Sequence, residues 1–159
     1  MDFSKIDKKL LAICIALPLL VGALSALLTR ESMTLFESVR KPPLSPPGWL
    51  FPLVWTILYT LMGIASYLVL QADASKEEIG KAWNVYLYQL LVNFLWSNWF
   101  FNFQLYLFSF FWLLLLWVMI LVTLVRFYRI SKPAGYLLIP YLLWVTFAGY
   151  LNLGIALLN

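Results

Sequence analysis

The chain has no histidine and a single cysteine, Cys14, and its few charges leave long stretches bare. Without histidine, the usual acid–base, Ser-His-Asp and metal-hydrolysis chemistries lack their ordinary actors. One cysteine makes neither an intrachain disulfide nor a zinc site, so Cys14 reads as a small apolar packing residue, and no metal site is expected. Charged residues are 11% of the chain, where soluble domains carry roughly a quarter. None lies between Pro42 and Ala72, between Ala82 and Val125, or from Pro133 onward. Proton pumps, ion-coupled carriers and voltage sensors rely on ionisable groups within the membrane, which counts against those classes.

What is present is apolar and aromatic: 64% and 18% of 159 residues, with a mean hydropathy of +0.88. A bilayer core needs about 20 apolar residues per helix, so the three charge-free gaps hold one, two and one spans. Leu10 to Leu28 adds a fifth; it exceeds the roughly 7–15 apolar residues of a signal peptide and reads as a retained helix. The expected fold is all-α, an integral membrane bundle of five transmembrane helices in one domain over 1–159. The helices fall near 8–29, 47–71, 81–102, 105–127 and 134–157, with a Pro-rich loop at 30–46. The polar break Asn102-Phe103-Gln104 marks a tight hairpin. Lys5, Lys8, Lys9, Lys76, Lys81, Arg126, Arg129 and Lys132 share one side, against Arg30, Arg40 and Lys41 on the other. The positive-inside rule therefore puts the N-terminus in the cytoplasm and the Pro-rich loop and C-terminus opposite. The net charge of +4 needs no nucleic-acid partner.

The stretch Pro42 to Tyr59 sets prolines before a hydrophobic helix, where a helix start has spare N–H donors and tolerates them. Polar and aromatic residues then recur at helical spacing. Trp55, Tyr59, Gly63 and Ser66 share a face of the second helix. Gln89, Asn93, Trp96 and Phe100 share one of the third, and Trp144, Ala148 and Asn152 one of the fifth. Amides facing lipid are costly, so these faces point inward, with Gly63 and Ala148 leaving space. Amides between membrane helices also serve as packing glue, and tryptophans near helix ends, such as Trp49, Trp83 and Trp112, form interfacial belts. For Trp55, Trp96 and Trp144 the pattern leaves a ligand wall and plain packing both open. Gly22 and Ala26 have the small-xxx-small spacing of a helix contact.

Three ordered segments carry a family resemblance: KPPLSPPGWLFPLVWTILYTLMG (41–63), QLLVNFLWSNWFF (89–101) and LLIPYLLWVTFAGYLN (137–152). The chain resembles the tryptophan-rich sensory protein/translocator protein family over essentially its whole length. The resemblance implies a five-helix bundle, commonly a homodimer, that binds porphyrins and other flat hydrophobic ligands in an upper cavity. By position, Trp55, Tyr59, Asn93, Trp96, Trp144 and Ala148 would wall the pocket, and Pro46, Pro47 and Trp49 would shape a lid. There are departures: Leu44 stands for a loop tryptophan, Leu35-Phe36 for a Trp-Tyr pair, and Ser97-Asn98 for a Pro pair of some members. Leu153 and Leu157 replace the Tyr and basic residue of a C-terminal cholesterol consensus, which argues against sterol recognition there. The loose match at Val125, Tyr128 and Lys132 is a chance-level pattern.

The function implied is a membrane sensor or receptor for a tetrapyrrole of the protoporphyrin IX type, with porphyrin as ligand and no resident cofactor. Trp55 and Trp144 would stack on the macrocycle, Asn93 would bond a polar edge, and Arg40 or Lys41 could pair with a propionate. Light-dependent oxidative breakdown of the bound porphyrin, with Trp55 and Trp144 as oxidisable groups, is an enzymatic alternative. Transport of tetrapyrroles or other lipophiles and partner scaffolding are others.

Overall fold

The computed structural model describes residues 6–159; Lys5, one of the flanking cations counted above, lies outside the described residues. Asp7 opens the first helix, α1 (Lys8–Thr29): its side chain accepts from the Leu10 N–H at 3.0 Å, supplying a partner that the helix start lacks. A short helix, α2 (Ser32–Glu37), follows within the stretch expected to be loop. Prolines 46 and 47 are then not inside a helix. The Pro47 and Gly48 carbonyls accept from Leu50 and Phe51, and α3 (Leu50–Leu70) starts three residues after the expected 47.

Ser75 and Glu78 form a reciprocal capping box, with Ser75 Oγ accepting from the Glu78 N–H at 3.2 Å. This starts α4 (Lys76–Ser97) five residues before the expected 81, and adds an exposed Lys81–Glu77 pair. The helix then loosens into a π-helical turn, Asn98–Asn102. Gln104, with φ of 53°, reverses the chain into α5 (Tyr106–Ile130). The expected final helix is two: α6 (Lys132–Leu137) and α7 (Ile139–Leu158). Pro140 has no N–H to continue the α6 hydrogen-bond ladder, so the break falls just before it.

The described residues are helical with no strand. Among the described residues, four segments are long and apolar enough to cross a membrane: Lys8–Thr29, Leu50–Leu70, Tyr106–Ile130 and Lys132–Leu158. The 22-residue α4 is not among them, because its first turns are charged and Asn84, Gln89 and Asn93 lower its hydropathy. Gln89 and Asn93 are nevertheless each only 1% exposed and face the interior.

Close helix packing depends on missing side chains. At Gly63 a β-carbon would run into the backbone of Cys14 and Ile15, so α3 and α1 touch at main-chain distance. Gly63 is therefore a packing residue and leaves no space in a pocket. Around the bundle, α3 packs on α1, α1 on α4, α4 on α5, and α5 on α6 and α7. The ring closes through α6, which meets α3, while α7 does not pack closely on α3. The two helices therefore part towards the Pro-rich loop, and aromatic rings reach across: Trp55 to Tyr141 at 6.0 Å and Phe51 to Trp144 at 5.9 Å.

Candidate functional site

The gap between α3 and α7 opens into a cavity of about 710 Å³, large enough for a drug-sized or larger ligand. Trp55 and Tyr59 of α3 form one wall, their rings 5.3 Å apart and 30° from parallel. Trp96 forms a second wall with Phe100, stacked at 5.4 Å. Trp144, Ala148, Leu151 and Asn152 of α7 form the third. A fourth comes from α1, where Gly22, Ser25, Ala26 and Thr29 lie on one face at helical spacing. A side chain at Gly22 would occupy the space of the Tyr59 ring, so this small-residue stripe accommodates a neighbour within the same chain.

Five of the six predicted wall residues, Trp55, Tyr59, Trp96, Trp144 and Ala148, thus line a single cavity. Asn93 does not. Its side-chain amide donates to the Tyr141 hydroxyl at 2.8 Å, and that hydroxyl donates to Gln89 Oε1 at 2.8 Å. Gln89 completes the file with a weak contact to Met62 Sδ at 3.9 Å. Asn93 has a buried protein partner and does not line the cavity, where it was expected to form a wall. Of the predicted lid, Pro46 lines the cavity whereas Pro47 and Trp49 do not, and Trp49 is 67% exposed. Lys41 reaches the mouth, but Arg40 does not line it.

Several lining residues were not foreseen: the α1 stripe as a wall, Met33, Phe36 and Glu37 of α2, and Phe101. Gly22, Ser25, Ala26 and Thr29 were legible as a stripe of small residues. Nothing in the sequence marked α2 as a helix folded over the mouth. Phe36 sits 5.6 Å from Phe100 and 5.3 Å from Phe101. The π turn adds one residue to the helical repeat, which lets Phe100 and Phe101 share the same side.

Three polar side chains of the lining, Trp96, Asn152 and Thr29, are engaged within the protein. Trp96 Nε1 donates to Asn152 Oδ1 at 3.1 Å, Asn152 Nδ2 to the Tyr106 carbonyl at 2.7 Å, and Thr29 Oγ1 to the Ser25 carbonyl at 2.9 Å. The charged lining residues are Arg30, Glu37 and Lys41, all at the loop end, with Lys41 Nζ held 4.7 Å over the Phe36 ring. The arrangement is an apolar, aromatic slot with its free charge at the rim.

The sequence profile of the TspO/MBR family matches residues 14–158. The chain belongs to the TspO/MBR family. It is an integral membrane protein, as its apolar helices and this membership require. It is 43% identical over 150 residues to "Tryptophan-rich protein TspO" of Chlorobaculum tepidum, covering 94% of this chain and 95% of that protein. A protein of the same description from Archaeoglobus fulgidus is 39% identical over 160 residues, covering 100% and 99%. The "Translocator protein" of Bos taurus is 37% identical over 139 residues, covering 86% and 82%. The aromatic cavity therefore sits in a family whose members carry sensory and translocator names.

Proposed function

We propose that this protein is a membrane sensor or receptor that binds a tetrapyrrole of the protoporphyrin IX type in the α3–α7 cavity. The observation that carries the reading is a slot of about 710 Å³ whose walls present the Trp55, Tyr59, Trp96 and Trp144 rings. Flat aromatic ligands gain from offset and edge contacts with such walls. With Trp96, Asn152 and Thr29 paired within the protein, shape and stacking are the main means of selecting the ring body. Polar anchoring falls to Arg30 and Lys41 at the mouth, where a propionate would meet a cation.

The protein works in this reading as one five-span bundle. Gln89 and Asn93, which lower the hydropathy of α4, are turned inward, and beyond the exposed Asn84 the outward face carries Leu87, Tyr88 and Leu91. The cation-rich end lies in the cytoplasm, the cavity mouth on the opposite side, and two copies form a homodimer. The test is titration of detergent-solubilised protein with protoporphyrin IX, read by tryptophan quenching in the dark, beside Trp55→Ala and Trp144→Ala. Saturable quenching that both substitutions weaken is the expected result. Quenching that never saturates, or is unchanged in both variants, would mean that the pigment enters the micelle instead.

A further inference from the structure

The segment closing the cavity mouth is fastened at two ends by different means. At the α2 end the attachment is aromatic: the half-buried Phe36 packs on Phe101 and on the buried Phe100, and Ser32 Oγ donates to Asn102 Oδ1 at 2.6 Å in an exposed hydrogen bond. At the other end three nearly consecutive residues engage the last turns of α7. The Arg40 N–H donates to Asn159 Oδ1 at 3.1 Å, and Asn159 Nδ2 donates back to the Arg40 carbonyl at 2.9 Å. Pro42 is buried over Gly154, where a β-carbon would sit 2.6 Å from the proline ring. The Tyr150 hydroxyl donates to the Pro43 carbonyl at 2.8 Å. Residues 150 and 154 lie one turn apart on one side of α7 and Asn159 caps its end, so the grip is a seam that runs onto the helix terminus.

From this asymmetry we infer that the end of α7 is the latch of a hinged strap, residues 38–49, which admits and retains whatever occupies the cavity. The strap buries one ring, Pro42, at the α7 seam, and its other fastenings there are exposed hydrogen bonds, so this end opens before the aromatic one. Just beyond the seam, Leu44 is 83% exposed and held at φ 66°, a left-handed conformation that residues with a β-carbon avoid. Opening lets Leu44 relax. The strap's inner side carries Lys41, Ser45 and Pro46 into the cavity lining, so lifting it uncovers the site. Gating of a tetrapyrrole rests on the function proposed above; the latch itself does not.

The experiment therefore has a ligand-free arm and a ligand arm. In a Cys14→Ala background, Ser45→Cys places one thiol on the inner side of the strap, and maleimide labelling reports how often it opens. Asn159→Ala removes the reciprocal pair and is expected to speed labelling roughly ten-fold, with Tyr150→Phe, losing one bond and keeping its ring, about three-fold. Equal labelling rates in all three proteins overturn the latch. In the ligand arm, dissociation of preloaded protoporphyrin IX accelerates in the same order, and association rises with it. Faster labelling with unchanged dissociation overturns the gating role. Faster labelling in a protein that never binds protoporphyrin saturably upholds the latch and overturns the tetrapyrrole reading.

Discussion

Replacing Tyr141 by phenylalanine separates the buried polar file from the ligand cavity. The ring, which meets Trp55 edge-on at 6.0 Å, is kept; only the hydroxyl is lost. That hydroxyl accepts from Asn93 Nδ2 and donates to Gln89 Oε1, both at 2.8 Å and both in residues 1% exposed. Hydrogen bonds between membrane helices average about 0.6 kcal/mol, so two of them set a floor near 1.2 kcal/mol. Two orphaned buried atoms at about 1–3 kcal/mol each set a ceiling near 6 kcal/mol. Gln89 and Asn93 are four residues apart on one face and can partly pair with each other, which brings the expectation to about 2 kcal/mol. At roughly 2–4 °C per kcal/mol for a chain of this size, the thermal midpoint in detergent should fall by about 4–8 °C. Asn93→Leu combined with Tyr141→Phe should cost less than the sum of the two, because the second change removes a partner already missing. Saturable ligand binding, measured below the midpoint, should be unchanged in Tyr141→Phe. A variant with an unaltered midpoint that no longer binds would refute the reasoning and return Asn93 and Tyr141 to the ligand site.

Glycine substitutions should move stability in both directions. Gly63→Ala places a methyl group against the Ile15 backbone and should lower the midpoint sharply, whereas Gly80→Ala, in open space on α4, should raise it slightly, by about 0.5–1 kcal/mol. Ser75→Ala removes the capping box and should cost about 1 kcal/mol, seen as faster amide exchange in the first turns of α4. Lys41→Ala should weaken protoporphyrin IX about three-fold at low salt and leave its dimethyl ester unaffected; equal losses for both ligands would mean that Lys41 acts by packing.

How much of this was legible depends on what kind of signal each element leaves. The apolar runs marked the four segments long and apolar enough to span, since a bilayer imposes its own length on a span; α4 forms as a long helix but falls short of that criterion. Boundaries moved where one side chain decided them, as the Ser75–Glu78 box and Pro140 did. Helical spacing placed Trp55, Tyr59, Trp96, Trp144 and Ala148 on inward faces, and the cavity collects all five. Spacing did not separate Asn93 from Trp96, though they lie on one face, because depth along the bundle divides them. One is level with Tyr141 and paired; the other is level with Asn152 and open to the cavity. Gly63 failed for a related reason, since an absent side chain reads alike whether it leaves a void or admits a neighbouring backbone. The six-residue α2 is too short to show periodicity.

The cavity persists because the chain holds its walls apart by separate means. On the α3 side, Gly22 lets the Tyr59 ring lie back against α1, away from the centre. On the α7 side, α5 and α6 take up the packing, leaving the Trp144 face without α3 packed closely against it. At the Trp96–Phe100 wall, the π turn could collapse through its loosened carbonyls. Asn98 Nδ2, however, donates to the Phe94 carbonyl at 3.1 Å, and Asn102 Nδ2 donates to Asn98 Oδ1 at 2.9 Å and to the Leu28 carbonyl at 3.2 Å. These amides give the irregular backbone its partners, and the last one ties it to α1. Phe100 and Phe101 are thereby fixed as a rigid edge against which α2 closes. Walls braced independently in this way leave the strap at the mouth as the part of the site free to move.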